Sequence, residues 1–376
     1  MKIVLAPDKF KNSLTGMQFC NVVEAGIKAV LPNAEVLKLP LADGGDGTIG
    51  VVDYYLKGQP VAVIVNDPFF RKIKANYIYA KTSKTAFIEM AEASGVKLLK
   101  SEELDCINTT TIGTGELILD AIKKGATKII LGIGGSATND CGIGMAKALG
   151  YRFLDENDKE VVPIGANLSK IKAIDTFSVH PRLHKVDFQV ACDVTNPLYG
   201  ENGAAHIYAA QKGATPKDID LLDKGLQSFA QLLSGIFNLD VQAVKGAGAA
   251  GGMGIASKVF LKGHLEPGIE LIKRLAQFDE KIKGADWIIT GEGKLDTQTL
   301  SGKTIKGVLD AAITKRIKVA TFCGGIDLDE TSPKALGIHY ADTVMYYAKN
   351  LKDAMENSTF YLRQMAKKFA LTLLKS

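Results

Sequence analysis

The stretch "KIVLAPDKFKNSLTGMQFCNVVEAGIKAV", Lys2 to Val30, contains the unit from which the fold is read. "KIVLA" is a short apolar strand, Pro7 to Asn12 form a polar loop, and Ser13 stands where a helix cap is expected. Leu14, Met17, Cys20, Val23, Ile27 and Val30 then recur every three or four residues, the spacing of one buried helix face. Pro32 ends that helix. The unit repeats at once, with "EVLKL" (Glu35 to Leu39) as a strand, "PLADGGDG" as its exit loop and Thr48 to Lys57 as a helix with Gly58 past its end. It returns late in the chain, where "ADWIIT" is a strand, "GEGKLDTQTLSG" a loop, Lys303 to Lys315 a helix and "KVATFCGG" another strand with a glycine exit.

The middle of the chain is built differently. "ANYIYA" and "KTAFIEMA" alternate like a hairpin, Gly113 to Lys124 is a helix leading into the strand "KIILGI", and Thr215 and Pro216 open a helix with Ile219, Leu222, Leu226, Phe229, Leu233 and Ile236 on one face. The expected fold class is therefore α/β with two α/β domains. One is a Rossmann-like parallel-sheet domain formed by residues 1–65 with 285–376, and the other is a mixed α/β domain, 66–284, inserted into it. The cleft between two such domains is the expected place for an active site.

Composition narrows the class. With 46% hydrophobic and 23% charged residues, 376 residues read as soluble, globular and long enough for two cores. The opening apolar run is far too short for a signal peptide, and no segment is long enough to span a bilayer, so a cytoplasmic protein is expected. The net charge of +5 is spread along the chain, which suits small anionic ligands and argues against nucleic acid. Five scattered cysteines with no C-x-x-C pair read as reduced and structural. The sequence leaves open whether the protein forms a homo-oligomer.

Six glycine-rich polar loops, each expected at a strand exit, carry the chemistry: "APDKFKNS", "LADGGDGT", "GGSATNDCG", "CDVTNPLYG", "GAGAAGGMG" and "TGEGKLDTQT". Backbone amides freed by glycine bind phosphate, and neighbouring carboxylates hold magnesium. Any one such loop is more often an ordinary turn or cap, but six together favour phosphoryl transfer. Asp193 follows "VDFQVA" and so is expected at the end of a buried strand, where an unpaired carboxylate is costly and a base or metal ligand is the natural reading. Asp43, Asp46, Glu292 and Asp296 are weaker, because each could close its own turn. Lys9 and Lys11 precede a helix start, where a cation could meet phosphate oxygens. "SGKT" at Ser301 to Thr304 is not a P-loop, since Thr297 occupies the required glycine position. The five histidines have neither metal-ligand spacing nor a partnered nucleophile signature.

Two rival classes have partial support. An NAD-dependent oxidoreductase of a small hydroxy acid would use the G-x-G-x-x-[GA] match at Gly132 to Ala137 or at Gly246 to Gly251, with an acidic residue about 20 positions on to hold the ribose. Asp155 and Glu156 come close, in a run that reads as a loop. A non-catalytic small-acid binding protein would share the two-domain design, but is normally exported.

Eight stretches in order resemble the bacterial type of the glycerate kinase family: "VLAPDKFKNSLT", "PLADGGDGT", "TTIGTGELILDAI", "GIGGSATNDCGIGMAKALG", "ACDVTNPLYGENGAA", "QKGA", "GAGAAGGMG" and "ADWIITGEGKLDTQTLSGKT". The likeness runs from Lys2 to the final helix. It implies ATP and magnesium as cofactors, D-glycerate as substrate and a phosphoglycerate product, the 2-phosphate favoured over the 3-phosphate. It also implies that Gly134, Gly135, Ser136, Asn139 and Asp140 belong to a nucleotide or substrate-phosphate site, and not to a nicotinamide site. The further binding candidates are Lys9, Ser13, Asp43, Gly44, Gly45, Asn196, Gly251, Gly252, Gly291, Glu292, Gly293 and Lys303. Asp43, Asp193 and Asp296 are the expected magnesium ligands, and Asp193, Lys11 and Asp296 the expected catalytic residues, with Asp193 preferred as the base. Lys9, Asn12 and Cys141 depart from the family's usual Ser, Gly and Gly.

Overall fold

The computed structural model describes residues 1–10, 13–44, 48–296, 304–328 and 332–374. The chain divides into two compact units, Met1–Tyr55 with Ile269–Ser376, and Leu56–Gly268.

The first unit is built on five parallel strands in the order Tyr340–Thr343, Lys318–Cys323, Trp287–Thr290, Lys2–Leu5, Glu35–Lys38. Val4 pairs with Leu37 on one side and Ile288 on the other. Ile3, Val4 and Leu5 are fully buried, as expected for a continuous apolar run in a strand covered on both faces. In chain order the strands run 2-1-3-4-5, the flavodoxin-like doubly wound arrangement, not the 3-2-1-4-5-6 order of dinucleotide-binding domains. The order reverses between Lys2–Leu5 and Trp287–Thr290, and sheets of this kind bind ligands outside the carboxyl ends of the strands at such a reversal.

The helix Gly16–Lys28 is capped by Thr15 and not by Ser13. Thr15 and Gln18 form a reciprocal capping box, and the Ser13 hydroxyl instead donates to Ser358 Oγ at 2.7 Å. The physical reason is a tight turn in which Phe10 and Leu14 pair as an isolated bridge, delaying the first helical residue. The helix then lies so close to Ser358–Leu373 that a Cβ on Gly26 would stand 2.6 Å from Ala366 Cβ.

The second unit has a six-stranded mixed sheet in the order His264–Glu266, Asp187–Ala191, Lys128–Gly132, Thr85–Glu89, Lys72–Ala80, Gln59–Asn66. The first four strands are parallel, and the last two join antiparallel. Gln59–Asn66 pairs along its whole length with Lys72–Ala80, so the expected boundary near Val65 falls inside a strand of this unit. The helix Pro216–Phe237 opens on a Thr215–Asp218 capping box and buries Leu222, Leu226, Phe229 and Leu233. All five cysteines are free, and no helix among the described residues is long and apolar enough to cross a membrane.

Candidate functional site

At the strand-order reversal of the first unit, the exit loops of Lys2–Leu5 and Trp287–Thr290 are hydrogen-bonded side by side. The Asp8 amide donates to Gly291 O at 2.9 Å, and the Thr290 hydroxyl donates to Ala6 O at 2.8 Å. Gly291 is required by this packing, because a Cβ there would lie 1.9 Å from the Phe322 carbonyl oxygen. The carboxylate that stands out is one the sequence reading passed over. Asp8 accepts from the Thr304 hydroxyl at 2.6 Å and from the Lys9 amide at 2.7 Å. Burial, then the like charge of Asp43, raise its pKa to about 6, against the pull of those two hydrogen bonds. Asp43, Gly44, Glu292, Gly293 and Asp296 are half-buried. Asp296 ends a two-stranded ladder, Lys294–Asp296 with Gly325–Asp327, where it pairs in register with Asp327. Lys11, Gly45, Asp46 and Lys303 lie outside the described residues.

In the second unit, the loop after Lys128–Gly132 leaves Gly134 and Gly135 exposed and then buries Ser136, Thr138, Asn139 and Asp140. Gly135 takes a left-handed φ of 71° and its carbonyl accepts from the Val96 amide at 3.0 Å. Asp140 is engaged internally: Oδ2 accepts from the amide and hydroxyl of Thr111, both at 2.8 Å, and from Gly144 N, while Oδ1 accepts from Gly142 N. Its charge therefore organises the loop. Thr138 Oγ1 and both polar atoms of the Asn139 amide are buried without a partner among the described residues, which leaves them as the loop's unused hydrogen-bonding capacity.

A second residue that sequence reasoning missed supports this loop. Lys212 is buried, and its ammonium donates to Ser136 Oγ and Thr138 O, each at 2.8 Å. Burial lowers its pKa to about 8, offset in part by Cys106 and Asp140. It lies in "QKGA", a stretch noted for its likeness but not for its lysine.

The loop "GAGAAGGMG" does not follow a strand. It runs from the 3-10 turn Val241–Ala243 into the helix Ala249–Phe260, and its glycines answer to the neighbouring loop. A Cβ on Gly251 would lie 2.2 Å from Thr138 O, and one on Gly252 would lie 2.8 Å from Cys141 Cα. Cys141 itself sits at φ 49°, a left-handed conformation that accounts for glycine being usual at this position in the resembled family. The first dinucleotide-like match fails on geometry as well. The helix after it begins only at Ile143, six residues beyond Ala137, so no helix terminus meets a bound pyrophosphate where that motif requires one.

Asp193 is exposed, so the argument from costly burial does not apply to it. It stands two residues past the strand end at Ala191, and Oδ1 accepts from Gly268 N at 2.8 Å where a helix begins. Asn196 shapes its own loop, donating to Asn202 O and accepting from the Tyr208 hydroxyl. Asp193→Asn retains an acceptor for Gly268 N and is expected to fold. If Asp193 is the base, turnover falls about 100-fold and excess magnesium does not restore it. Steady-state kinetics across a magnesium titration check this, and wild-type rates would remove Asp193 from the chemistry.

The model of the glycerate kinase family matches residues 3–374. The chain belongs to that family. It is 42% identical to the glycerate kinase of Halalkalibacterium halodurans over 369 residues, covering 98% of this chain and 97% of that one. It is 39% identical to the glycerate 2-kinase of Escherichia coli K12 over 373 residues, covering 99% and 98%. Among solved structures, the Salmonella typhimurium LT2 protein described as glycerate kinase 2 superposes with a TM-score of 0.90 at 38% identity, over 100% of this chain and 98% of that one. As a member of the glycerate kinase family the chain is a phosphotransferase that takes its phosphoryl group from ATP, and the two loop clusters are the places in which to look for that chemistry.

Proposed function

We propose that this protein transfers the terminal phosphoryl group of ATP to the 2-hydroxyl of D-glycerate. The observation that carries the reading is the family match over nearly the whole chain, and the name glycerate 2-kinase borne by the Escherichia coli relative supports the 2-position. Residence in the cytoplasm fits a protein that draws on ATP.

Phosphoryl transfer asks a protein mainly to position reactants and neutralise charge. Gly134 and Gly135 are exposed, and their backbone amides suit phosphate oxygens, with Ser136 held in place by Lys212. A carboxylate must accept the proton of the attacking hydroxyl, and a pKa near 6 suits Asp8 to that task better than an exposed aspartate. Among the described residues no group of three or more acidic, histidine or cysteine side chains gathers as a metal cage. Two carboxylates suffice for magnesium when substrate phosphates complete the shell. Asp43 with Asp296 would hold magnesium, which neutralises phosphate charge. Asp193 stands as the alternative ligand.

The test is direct. The purified protein with ATP, magnesium and D-glycerate is expected to give 2-phosphoglycerate by phosphorus NMR, and excess EDTA to stop turnover. Formation of the 3-phosphate would correct the position. Full activity in chelator, or no phosphorylated product, would overturn the reading.

A further inference from the structure

The second unit also contains a pocket of about 550 Å³ that none of the glycine loops lines. Tyr151 and Phe237 form aromatic walls, and Lys258, Lys262, His180 and His184 supply polar groups beside Thr176 and Asn238. The Tyr151 wall is fixed in place: its hydroxyl donates to the Phe260 carbonyl at 3.0 Å and its ring packs on the Phe260 ring with centroids 4.9 Å apart. Lys258 is near the end of the helix Ala249–Phe260, and Lys262, four positions on, sits at φ 55°, an uncommon conformation for a residue with a side chain. His180 Nδ1 accepts from the Arg182 amide at 3.3 Å, which places the neutral ring's proton on Nε2 and leaves it a donor.

No aspartate or glutamate lines the pocket, and among the described residues neither lysine has an ion-pair partner. Burial and the charge of Lys262 both lower the pKa of His184, which is how an imidazole behaves beside an ammonium with no counter-ion between them. Attraction to the carboxyl end of a helix accounts for Lys258 alone. It does not account for a concave apolar hollow carrying two ammonium groups and two imidazoles. Apolar walls with a few convergent polar groups are the usual make-up of a small-molecule site, and two ammonium groups beside imidazole N–H donors match the charge and oxygens of a phosphate monoester.

We propose that this pocket is an accessory binding site for a phosphate monoester carried on a compact apolar body, separate from the glycine loops. The probe is phenyl phosphate, titrated by calorimetry into the full chain with magnesium, D-glycerate and a saturating non-hydrolysable ATP analogue. Binding is expected to persist in the presence of the analogue, and phenol is expected to bind at least about tenfold more weakly. The double variant Lys258→Gln/Lys262→Gln should lose phenyl phosphate affinity by about tenfold or more with unchanged glycerate turnover. Lys258→Arg/Lys262→Arg, which keeps both charges, should retain it. The proposal is overturned if phenyl phosphate does not bind, if the ATP analogue displaces it, if phenol binds equally well, or if removing both charges leaves affinity unchanged.

Discussion

Asp8→Asn is expected to lower glycerate-dependent turnover by about 1000-fold or more while making the folded protein more stable at pH 8. Asparagine keeps one acceptor oxygen, for the Lys9 amide, and the Thr304 hydroxyl can turn to accept from its Nδ2, but the change removes both the basicity and the charge that faces Asp43. A lost general base costs about 100-fold to 10,000-fold. The stability effect has the opposite sign. A carboxyl whose pKa is raised to about 6 on folding holds its proton more tightly in the folded state, so the wild type loses stability as pH rises from about 4 to about 6. Above that range the loss is complete and the asparagine variant escapes it, by on the order of 1–3 kcal/mol. Denaturant midpoints in EDTA at pH 4 and pH 8 should converge at the lower pH and separate at the higher. A variant that retains turnover, or that is less stable at pH 8, would show that Asp8 is an ordinary loop residue.

Gly251→Ala is expected to lower turnover by about 100-fold or more and to destabilise the second unit by about 2–4 kcal/mol. Gly251 has φ 69°, and the added methyl would stand 2.2 Å from Thr138 O and 2.6 Å from Asn139 Cα, backbone atoms that cannot rotate away. The loop from Gly134 to Asp140 must then move, and a displacement of about 1 Å in a reacting site costs on the order of 100-fold in rate. Gly200 provides the control. Its φ of 90° is equally unfavourable to alanine, yet a Cβ there meets nothing within 4 Å, so Gly200→Ala isolates the backbone strain. That change should cost about 1 kcal/mol and leave most of the activity. Equal effects from the two substitutions would mean that the contact with Thr138 is unimportant.

What the sequence revealed follows from where each signal is stored. "KIVL" and "WIIT" are apolar throughout because their strands are covered on both faces, and such runs are visible without any partner. Gln59–Asn66 was missed as a sheet member because it is an edge strand whose side chains are mostly exposed or half-buried, which leaves only a faint alternation. Asp8 stands in the first loop quoted, directly after a strand and beside Lys9. Its importance comes from Asp43 and from Thr304, 296 positions away, and nothing in the local run announces either. Lys212 was hidden for the same reason, since an ammonium becomes informative only when Ser136 and Thr138 close over it. Asp193 failed the other way: an apolar strand before it suggested burial, but two further residues carry the chain out to solvent. Spacing within a loop could be read, whereas contact between loops could not.

The first unit is also discontinuous, and that sets a timetable. Lys2 donates its amide proton to Asp286 at 2.7 Å across 284 positions of chain, and the strand it opens has Trp287–Thr290 as one of its two neighbours. On a ribosome adding about 5–20 residues per second, the Lys2–Leu5 strand waits roughly 15–60 seconds before that neighbour exists. The inserted unit, complete once Gly268 has emerged, has all its strands in hand during that interval. That strand is thus among the last parts of its unit to be buried, and "KIVL" remains available to chaperones, to proteases and to other nascent chains until the late strands emerge.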